Sequence, residues 1–284
     1  MSESQPFEIG SDIALAIEVA SRRWAVGAQG HDISIPLRFN EAQPTFFGGA
    51  AASEQPLSGG SFVGDVRHGG SCNCSIHTLA PHCNGTHTEC VGHITHERLS
   101  IRDIAVRPFS SALLVSIRPQ PADAVEEQID AMPVPGDTVV TLAELRRALG
   151  AEQLAYYQAL IVRTLPNDAS KLARNYDTDP PPPYFTVAAM RWIVAQGIDT
   201  LVVDLPSIDR AQDGGRLATH RIFWGMPPLS KSAAMAVRKH ATITELAFID
   251  NTIADGPYLL NLQVAPFMSD AAPSRPILLP LSPA

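Results

Sequence analysis

The segment from Pro81 to His93 concentrates side chains that could bind a metal ion, with three of the nine histidines and two of the four cysteines of the chain. It reads Pro-His-Cys-Asn-Gly-Thr-His-Thr-Glu-Cys-Val-Gly-His. Cys83, His87 and Glu89 supply a thiol, an imidazole and a carboxylate, and His93 follows at the end of the segment. Thiolates and imidazoles are ligands that zinc prefers in proteins, so this concentration of them indicates a metal site.

The spacing allows three of these side chains to meet at one ion. Gly85 has no Cβ atom, so the backbone can turn there and bring positions 83 and 87 together. Positions 87 and 89 are two apart, so on an extended segment their side chains point the same way. Cys83, His87 and Glu89 can therefore converge, with His93 just beyond them as a further ligand or a proton carrier.

The cysteines also allow other interpretations. All four lie between Cys72 and Cys90, and they could be inert apolar residues, disulfide partners or ligands of a structural zinc ion. No Cys-x-x-Cys pair is present, and the spacing fits no familiar zinc ribbon. Cys72 and Cys74 alternate with polar residues from Ser71 to Leu79, which predicts a half-buried strand with both cysteines in the core. The residues alone leave a catalytic metal site and these alternatives open.

Length and composition indicate the class of protein. The chain has 284 residues, of which 45% are hydrophobic and 18% charged, as expected for a globular protein with one large domain. A net charge of −8 argues against nucleic acid and anionic membrane surfaces as partners. The first residues lack the basic start and apolar core of a signal peptide, and no apolar run has the length of a membrane span. We therefore expect a cytoplasmic protein with reduced cysteines.

Several elements can be predicted around the candidate site. Ile13 to Trp24 has the apolar spacing of a short helix. Gln43 to Gly70 is rich in Gly, Ser and Pro and predicts a long loop, part of which we expect to line a substrate pocket. Thr141 and Glu144 have the spacing of a capping box that opens a helix, and Thr186 caps another. Buried strands are predicted over residues 112–117, 159–164, 200–203 and 258–262.

Residues 85–87, Gly-Thr-His with candidate ligands on either side, resemble the signature of the cyclase family of metal-dependent hydrolases. That family includes bacterial kynurenine formamidase and isatin hydrolase, and its pattern is His-x-Gly-Thr-His-x-Asp-x-Pro-x-His. In the alignment, Cys83 stands at the first histidine, Glu89 at the aspartate, Val91 at the proline and His93 at the last histidine. Two ligand positions and the proline therefore depart from the pattern.

The resemblance continues from about His31 to Leu281. Leu217-Ala218-Thr219-His220 is similar to the segment that carries a late histidine ligand in the family, and Glu245 stands where the family has a glutamate ligand. Arg221 to Lys239 is longer than the corresponding family segment, and we expect an insertion that borders the site.

The resemblance implies a mixed α/β fold with a central mixed, barrel-like β-sheet flanked by helices, of the swivelling β/β/α type. One domain would cover residues 31–284, after an N-terminal extension of residues 1–30 with the short helix. The implied acid/base is His93. The implied metal ligands are Cys83, His87, Glu89, His220 and Glu245.

The chemistry implied by the resemblance is hydrolysis of a C–N bond in a small amide by a metal-bound hydroxide. Substrates would be aryl formamides, such as N-formylkynurenine in tryptophan catabolism, or cyclic amides. A Cys83 thiolate would favour one or two zinc ions over manganese. Cys83, Glu89 and Glu245 would bring three negative charges, which favours two zinc ions or a neutral Cys83 thiol. The alternative function is an altered family member that binds a small molecule or a partner.

His82 could replace Cys83 as a ligand by a one-residue shift. Neighbouring side chains of an extended chain point to opposite faces, which favours Cys83. A homodimer or homotetramer is expected from the resemblance, and a purely structural zinc site remains a further alternative that predicts unfolding on chelation.

Overall fold

The computed structural model describes residues 7–8, 15–19, 21–104, 107–178 and 180–284. Its α-helices are α1 (Pro81–Asn84), α2 (Leu142–Leu149), α3 (Val187–Ala195) and α4 (Ala218–Trp224). Its strands are, in chain order, β1 (Phe7–Glu8), β2 (Ala16–Val19), β3 (Arg22–Val26), β4 (Gln29–Asp32), β5 (Ser53–Pro56), β6 (Ser58–Gly59), β7 (Phe62–Val63), β8 (Ser75–Thr78), β9 (His87–Glu89), β10 (Phe109–Ile117), β11 (Gln120–Pro121), β12 (Thr138–Val140), β13 (Ala159–Thr164), β14 (Tyr184–Phe185), β15 (Thr200–Val203), β16 (Thr242–Glu245), β17 (Gly256–Val264) and β18 (Ala271–Pro283).

Seven strands form a closed barrel. β17, β10, β13, β15, β16 and β9 follow one another in the sheet, and the long strand β18 pairs with both β17 and β9, which closes the ring. β10, β13, β15 and β16 are parallel, whereas the other neighbours are antiparallel. The structure therefore confirms the predicted mixed α/β fold with a central barrel-like sheet.

Alternate residues of the barrel strands enter two separate cores. Along β13, Leu160 and Val162 pack in a cluster with helix residues such as Leu145, whereas Ala159 and Ile161 pack in a cluster without any helix residue. Successive side chains of a strand point to opposite faces, so the second cluster fills the barrel interior. The first cluster, which contains Leu160 and Val162, fills the layer between the barrel and helices α2, α3 and α4. Burial of each leucine or valine side chain there contributes about 1.5–3 kcal/mol.

The threonine caps predicted for two helices are confirmed. The Oγ1 atom of Thr141 accepts the backbone N–H of Glu144 at 3.1 Å, and Oγ1 of Thr186 accepts that of Ala189 at the same distance. Each cap satisfies one of the N–H groups left unpaired at a helix start. The Glu144 side chain pairs with Arg147 instead of completing a capping box. Among the helices of the described residues, none has the length and apolar character needed to cross a membrane.

The helix predicted from Ile13 to Trp24 is wrong. Residues 13, 14 and 20 lie outside the described residues, and the others form the antiparallel hairpin β2–β3 with Ser21 in the left-handed region at φ +60°. β3 also pairs with the end of β18, so contacts with the barrel override a weak helical pattern. The side chains that attach the hairpin are Ile17, Trp24 and Val26, which pack against Leu259, Leu279 and Leu281.

The half-buried strand predicted from Ser71 to Leu79 is also wrong. Only β8 forms there, and it pairs with β5 in a two-stranded sheet separate from the barrel, with all four β8 residues exposed. Cys72 is exposed and Cys74 half-buried, so the two cysteines are not core residues. An isolated ribbon has no second layer in which to bury a face, so the alternation does not indicate a core. The segment from Gln43 to Gly70, predicted as a loop, contributes β5, β6 and β7.

A buried ion pair joins the ends of β13 and β15. The ammonium of Lys171 donates to Asp204 Oδ2 at 2.7 Å and to the carbonyl and hydroxyl of Thr164 at 2.8 and 2.9 Å. The variant Lys171→Met is expected to lose about 3–5 kcal/mol of unfolding free energy, because Asp204 stays buried without its counter-ion. Chemical denaturation measures the loss, with the exposed Lys239→Met as control. A loss for Lys171→Met no larger than the control's would contradict this role.

Candidate metal centre

Strand β9 lies between β16 and β18. The pairing register of β9 with β16 places one imidazole and two carboxylate side chains together. Glu245 is paired with His87, and Ile243 is paired with Glu89. Paired residues share a face of the sheet, as do residues two apart on a strand. Ile243 belongs to the core between the barrel and the helices, so His87, Glu89 and Glu245 face the layer into which α4 brings His220.

Four buried side chains meet in this layer. The Nε2 atom of His87 lies 3.5 Å from Oε2 of Glu245. The Nε2 atom of His220 lies 3.0 Å from Oε1 of Glu89 and 3.5 Å from Oε1 of Glu245. Ligating atoms of His87, Glu89 and Glu245 all lie within 4.8 Å of one another, which is close enough to bind one ion. We call these four residues the buried group.

A second group of potential ligands shares Glu89 and lies toward solvent. The Nδ1 atom of His82 lies 3.4 Å from Oε2 of Glu89, and the Nε2 atom of His93 lies 3.8 Å from the same oxygen. Ligating atoms of these three residues also lie within 4.8 Å of one another. The His82 and His93 side chains are 24% and 27% exposed, so this side of the centre is accessible to a molecule from solvent.

The atoms that face one another in the buried group lack hydrogen bonds. Within the described part of the chain, His87 Nε2, His220 Nε2 and both carboxylate oxygens of Glu89 have no hydrogen-bond partner. His220 Nε2 and Glu89 Oε1 are close but are not aligned for a hydrogen bond. An unsatisfied buried polar atom costs about 1–3 kcal/mol, and more when it is charged. A divalent cation between these nitrogen and oxygen atoms would satisfy all of them, so the donor set fits a metal ion.

Hydrogen bonds orient the two buried histidines toward this point. His87 donates its Nδ1–H to the carbonyl of Gly85 at 2.9 Å, and His220 donates its Nδ1–H to Asp209 Oδ2 at 2.7 Å. A neutral imidazole with a proton on Nδ1 has its lone pair on Nε2, the atom that faces the centre in both residues. Asp209 also accepts the backbone N–H groups of His220 and Thr219, which fixes the start of α4.

The charges of the buried group depend on one another. Burial alone would lower the pKa of His220, but the carboxylates of Glu89, Asp209 and Glu245 raise it well above its usual value. Burial would raise the pKa of Glu245, but the close imidazoles of His220 and His87 lower it strongly. A protonated His220 therefore offsets the carboxylates, and a metal ion that binds its Nε2 must displace this proton.

Asp270 holds the two histidines of the solvent side. Its Oδ2 atom accepts from Nε2 of His82 at 2.9 Å and from Nδ1 of His93 at 3.2 Å. These two hydrogen bonds lower the pKa of Asp270 well below its usual range. Asp270 directly precedes β18, and its carbonyl accepts the N–H of Cys90 at 2.9 Å, so the β9–β18 pairing fixes its position. The second nitrogen of each histidine then faces Glu89.

A family model for cyclases, described as "Putative cyclase", matches residues 31–210. The chain belongs to this cyclase family. The match includes the whole Pro81–His93 segment but ends before His220 and Glu245. The fold brings these two residues to the same place, so the centre extends beyond the matched part of the chain.

Solved structures with the same fold include metal-dependent hydrolases and isatin hydrolases. A potential metal-dependent hydrolase with cyclase activity aligns over 89% of this chain and 98% of its own, with 15% identity and a TM-score of 0.57. Isatin hydrolase A from Labrenzia aggregata, bound to benzyl benzoate, aligns over 88% and 93%, with 12% identity and a TM-score of 0.58. An isatin hydrolase bound to the product analogue thioisatinate aligns over 83% of both chains, with 13% identity and a TM-score of 0.53. A search of curated protein sequences gave no match.

Cys83 stands where the cyclase pattern has its first histidine, yet it belongs to neither group of potential ligands. A Cβ atom added to Gly49 would lie 2.7 Å from Cβ and 2.8 Å from Sγ of Cys83, so this side chain packs against the segment that contains Gly49. Burial, followed by the charge of Asp177, raises the pKa of the Cys83 thiol, which favours its neutral form. The structure thus places Cys83 as a packed thiol outside both groups of potential ligands.

His82 lies where the sequence prediction expected Cys83. Residues 81–84 form the helical turn α1, in which neighbouring side chains are separated by about 100° instead of pointing to opposite faces. His82 can therefore face Glu89 while Cys83 faces Gly49. The expectation of an extended segment was the faulty step in the sequence argument.

The structure gathers five of the six predicted site residues and adds three others. The gathered residues are His87, Glu89, His93, His220 and Glu245. Sequence reasoning did not select His82 as a ligand, nor Asp209 and Asp270 as the carboxylates that orient histidines. A signal for His82 was present, because Pro81 is typical of the first position of a helix and predicts the turn that redirects residue 82.

Asp209→Asn is expected to weaken zinc binding by about 10–100-fold, the range for partners that orient metal-binding histidines. An amide at this position can present its NH₂ group to Nδ1 of His220, which disfavours the tautomer with a free Nε2. Competition with a chromophoric chelator measures the affinity. Asp213→Asn is a matched control, because Asp213 accepts backbone N–H groups of Gly215 and Leu217 and contacts no histidine of the centre. Equal zinc affinities for the two variants would contradict the role of Asp209.

Proposed function

We propose that this chain is a metal-dependent hydrolase that cleaves the C–N bond of a small amide, with an activity like that of an arylformamidase or a cyclic amidohydrolase. The observation that carries the proposal is the convergence of four unpaired ligating atoms, from His87, Glu89 and His220, beside a side that is open to solvent. Membership of the cyclase family and the fold shared with isatin hydrolases support an amide as the substrate class.

In this proposal His87, Glu89, His220 and Glu245 hold a zinc ion. Glu89 also faces His82 and His93, so the centre has donors for one or two ions. Glu89 and Glu245 carry two negative charges, which a single Zn²⁺ would neutralise. With Cys83 packed elsewhere, the case for zinc rests on the set of imidazole and carboxylate ligands, which is typical of catalytic zinc sites.

The residues of the solvent side are placed to move protons. When bound, zinc supplies a Lewis acid for the amide carbonyl and makes a water molecule acidic enough to attack at neutral pH. Asp270 fixes Nδ1 of His93, which leaves Nε2 directed at the centre. From this position Nε2 can pass a proton to the leaving nitrogen. The ring of His82 lies 4.3 Å from that of His93, and its Nε2 shares the same carboxylate oxygen.

The experiment that tests the proposal is an assay of aryl formamides, including N-formylkynurenine, and of cyclic imides and amides. Zinc-loaded protein should hydrolyse at least one of these classes, chelation should abolish turnover and added zinc should restore it. His93→Gln should retain zinc in the buried group but lose about 10²–10⁴-fold in kcat, the usual contribution of a general acid. An absence of chelator-sensitive turnover on every class would refute the hydrolase proposal.

A family member that binds a small molecule without turning it over is the alternative function. The departure from the family pattern at Cys83 and Glu89 favours it, and full zinc occupancy without hydrolysis would support it. We also propose a homodimer or homotetramer, as the resemblance implies, and a cytoplasmic location, as the sequence pattern predicts. Light scattering of the purified protein tests the oligomeric state.

A further inference from the structure

Helix α4 also borders a cavity that is separate from the metal centre. The face of α4 that lines this cavity is not the face that carries His220. The cavity has a volume of about 440 Å³. Ala218, Arg221 and Ile222 line it, and residues three and four apart on a helix share a face. Its other walls include Arg191 on α3, Arg216, and the apolar side chains of Met226 and Leu229. None of these residues belongs to the candidate metal centre.

The cavity is cationic in a chain whose net charge is −8. Three arginines line it, at positions 191, 216 and 221, against the single acidic residue Asp130. Arg216 is the arginine that Asp130 pairs with, at 3.6 Å between Nη1 and Oδ2. Arg191 is exposed and makes no ion pair within the described residues. Two positive charges therefore have no acidic partner in the cavity.

Arg221 is the strongest sign that the cavity accepts an anion. Its side chain is buried, with Nε donating to the carbonyl of Arg216 at 2.7 Å and Nη1 to the carbonyl of Ser230. No carboxylate in the described part of the chain forms an ion pair with its guanidinium. Burial lowers the pKa of Arg221, and the more distant carboxylates of Asp209 and Asp213 offset this only in part. A buried charge whose carboxylates act only from longer range is costly, and an anion bound in the cavity would offset that cost.

We propose that this cavity binds a small organic carboxylate with an apolar body. Guanidinium groups bind carboxylates through paired N–H donors, and Arg191 and Arg221 offer such groups from two helices. Ile222, Met226 and Leu229 provide apolar contacts for the remainder of the ligand, and the volume lies within the range of small-molecule sites. Hydrolysis of an amide releases a carboxylate, so a product of the proposed reaction belongs to this class. Binding itself does not depend on that reaction.

The test is a titration of benzoate onto chelator-treated protein, followed by ligand-observed NMR. Chelation removes metal-bound anions from the measurement and makes the result independent of the hydrolase proposal. Benzoate should bind saturably, and the uncharged benzyl alcohol should not. Arg191→Gln should raise the Kd for benzoate by about tenfold or more, as expected for loss of a charge-assisted hydrogen bond. Arg118→Gln, which changes an exposed arginine outside the cavity, should leave the Kd unchanged.

A second pair of variants tests the sign of the charge. Leu229 is 73% exposed at the cavity, so substitutions there carry little risk to folding. Leu229→Glu should weaken benzoate binding by several-fold through repulsion, whereas Leu229→Gln should stay within about twofold of the wild type. Three results would each overturn the proposal. These are a lack of saturable benzoate binding, equal Kd values for Arg191→Gln and Arg118→Gln, and binding of benzyl alcohol as tight as that of benzoate.

Discussion

Glu89→Gln is expected to remove zinc from the protein and to abolish amide hydrolysis. Oε1 of Glu89 faces His220, and Oε2 faces both His82 and His93, so one substitution takes a ligand from each group. Glutamine has nearly the same shape but carries no charge and offers one acceptor atom instead of two. Zinc affinity should fall by more than about 100-fold, the upper end of the effect of a residue that only orients a ligand.

Thermal unfolding with and without zinc distinguishes this effect from misfolding. Wild-type protein should gain about 4 kcal/mol of stability when free zinc is 1,000 times its Kd, and Glu89→Gln should gain almost none. Without metal the variant should still unfold in one cooperative transition, because glutamine keeps the shape of the side chain and Asp209 and Glu245 remain to offset the charge of His220. Glu54→Gln is the control, since Glu54 is exposed and pairs with His77. A Glu89→Gln protein with normal zinc stabilisation would contradict the assignment.

His82→Ala is expected to impair the centre far more than Cys83→Ser, although Cys83 occupies the ligand position of the family pattern. His82 lies 3.4 Å from Glu89 and is held by Asp270, whereas Cys83 packs against Gly49. We expect His82→Ala to weaken binding of the metal in the solvent-side group by about 10-fold or more and to reduce turnover. Cys83→Ser should leave both within about twofold of the wild type.

Cobalt substitution measures the same difference directly. A thiolate ligand gives Co²⁺ a charge-transfer absorption in the near ultraviolet, and nitrogen and oxygen ligands do not. The spectra of the cobalt-loaded wild type and Cys83→Ser should therefore be alike and lack this band, whereas His82→Ala should change the visible bands. A thiolate band that disappears in Cys83→Ser would show that Cys83 is a ligand and that His82 has been wrongly assigned.

The part of the centre that local geometry controls could be predicted from the sequence. His87 and Glu89 lie on a strand, so the two-residue period that predicted a common direction for their side chains holds in β9. Their orientation toward the helical layer depends on which face of β16 is buried, and this is set by pairing between segments more than 150 residues apart, as the bond between Thr88 and Thr244 illustrates. No local pattern contains that information.

His220 and Glu245 were predicted through the family resemblance and not through spacing. The errors have a common cause, since each assumed a backbone conformation that neighbouring elements decide. Cys83 was preferred over His82 because the segment was taken as extended, whereas Pro81 begins a helical turn. The N-terminal helix was predicted from apolar spacing, whereas pairing of β3 with β18 selects a strand.

The most direct test of the central claim is a crystal structure of zinc-loaded protein with anomalous diffraction recorded on both sides of the zinc absorption edge. We predict an anomalous peak in the buried group, at about 2.0–2.2 Å from Nε2 of His87, Nε2 of His220 and the carboxylates of Glu89 and Glu245. A second peak, if present, should lie between Glu89, His82 and His93. Zinc bound at the cysteines, or zinc-loaded crystals without a peak between His87 and His220, would contradict the account.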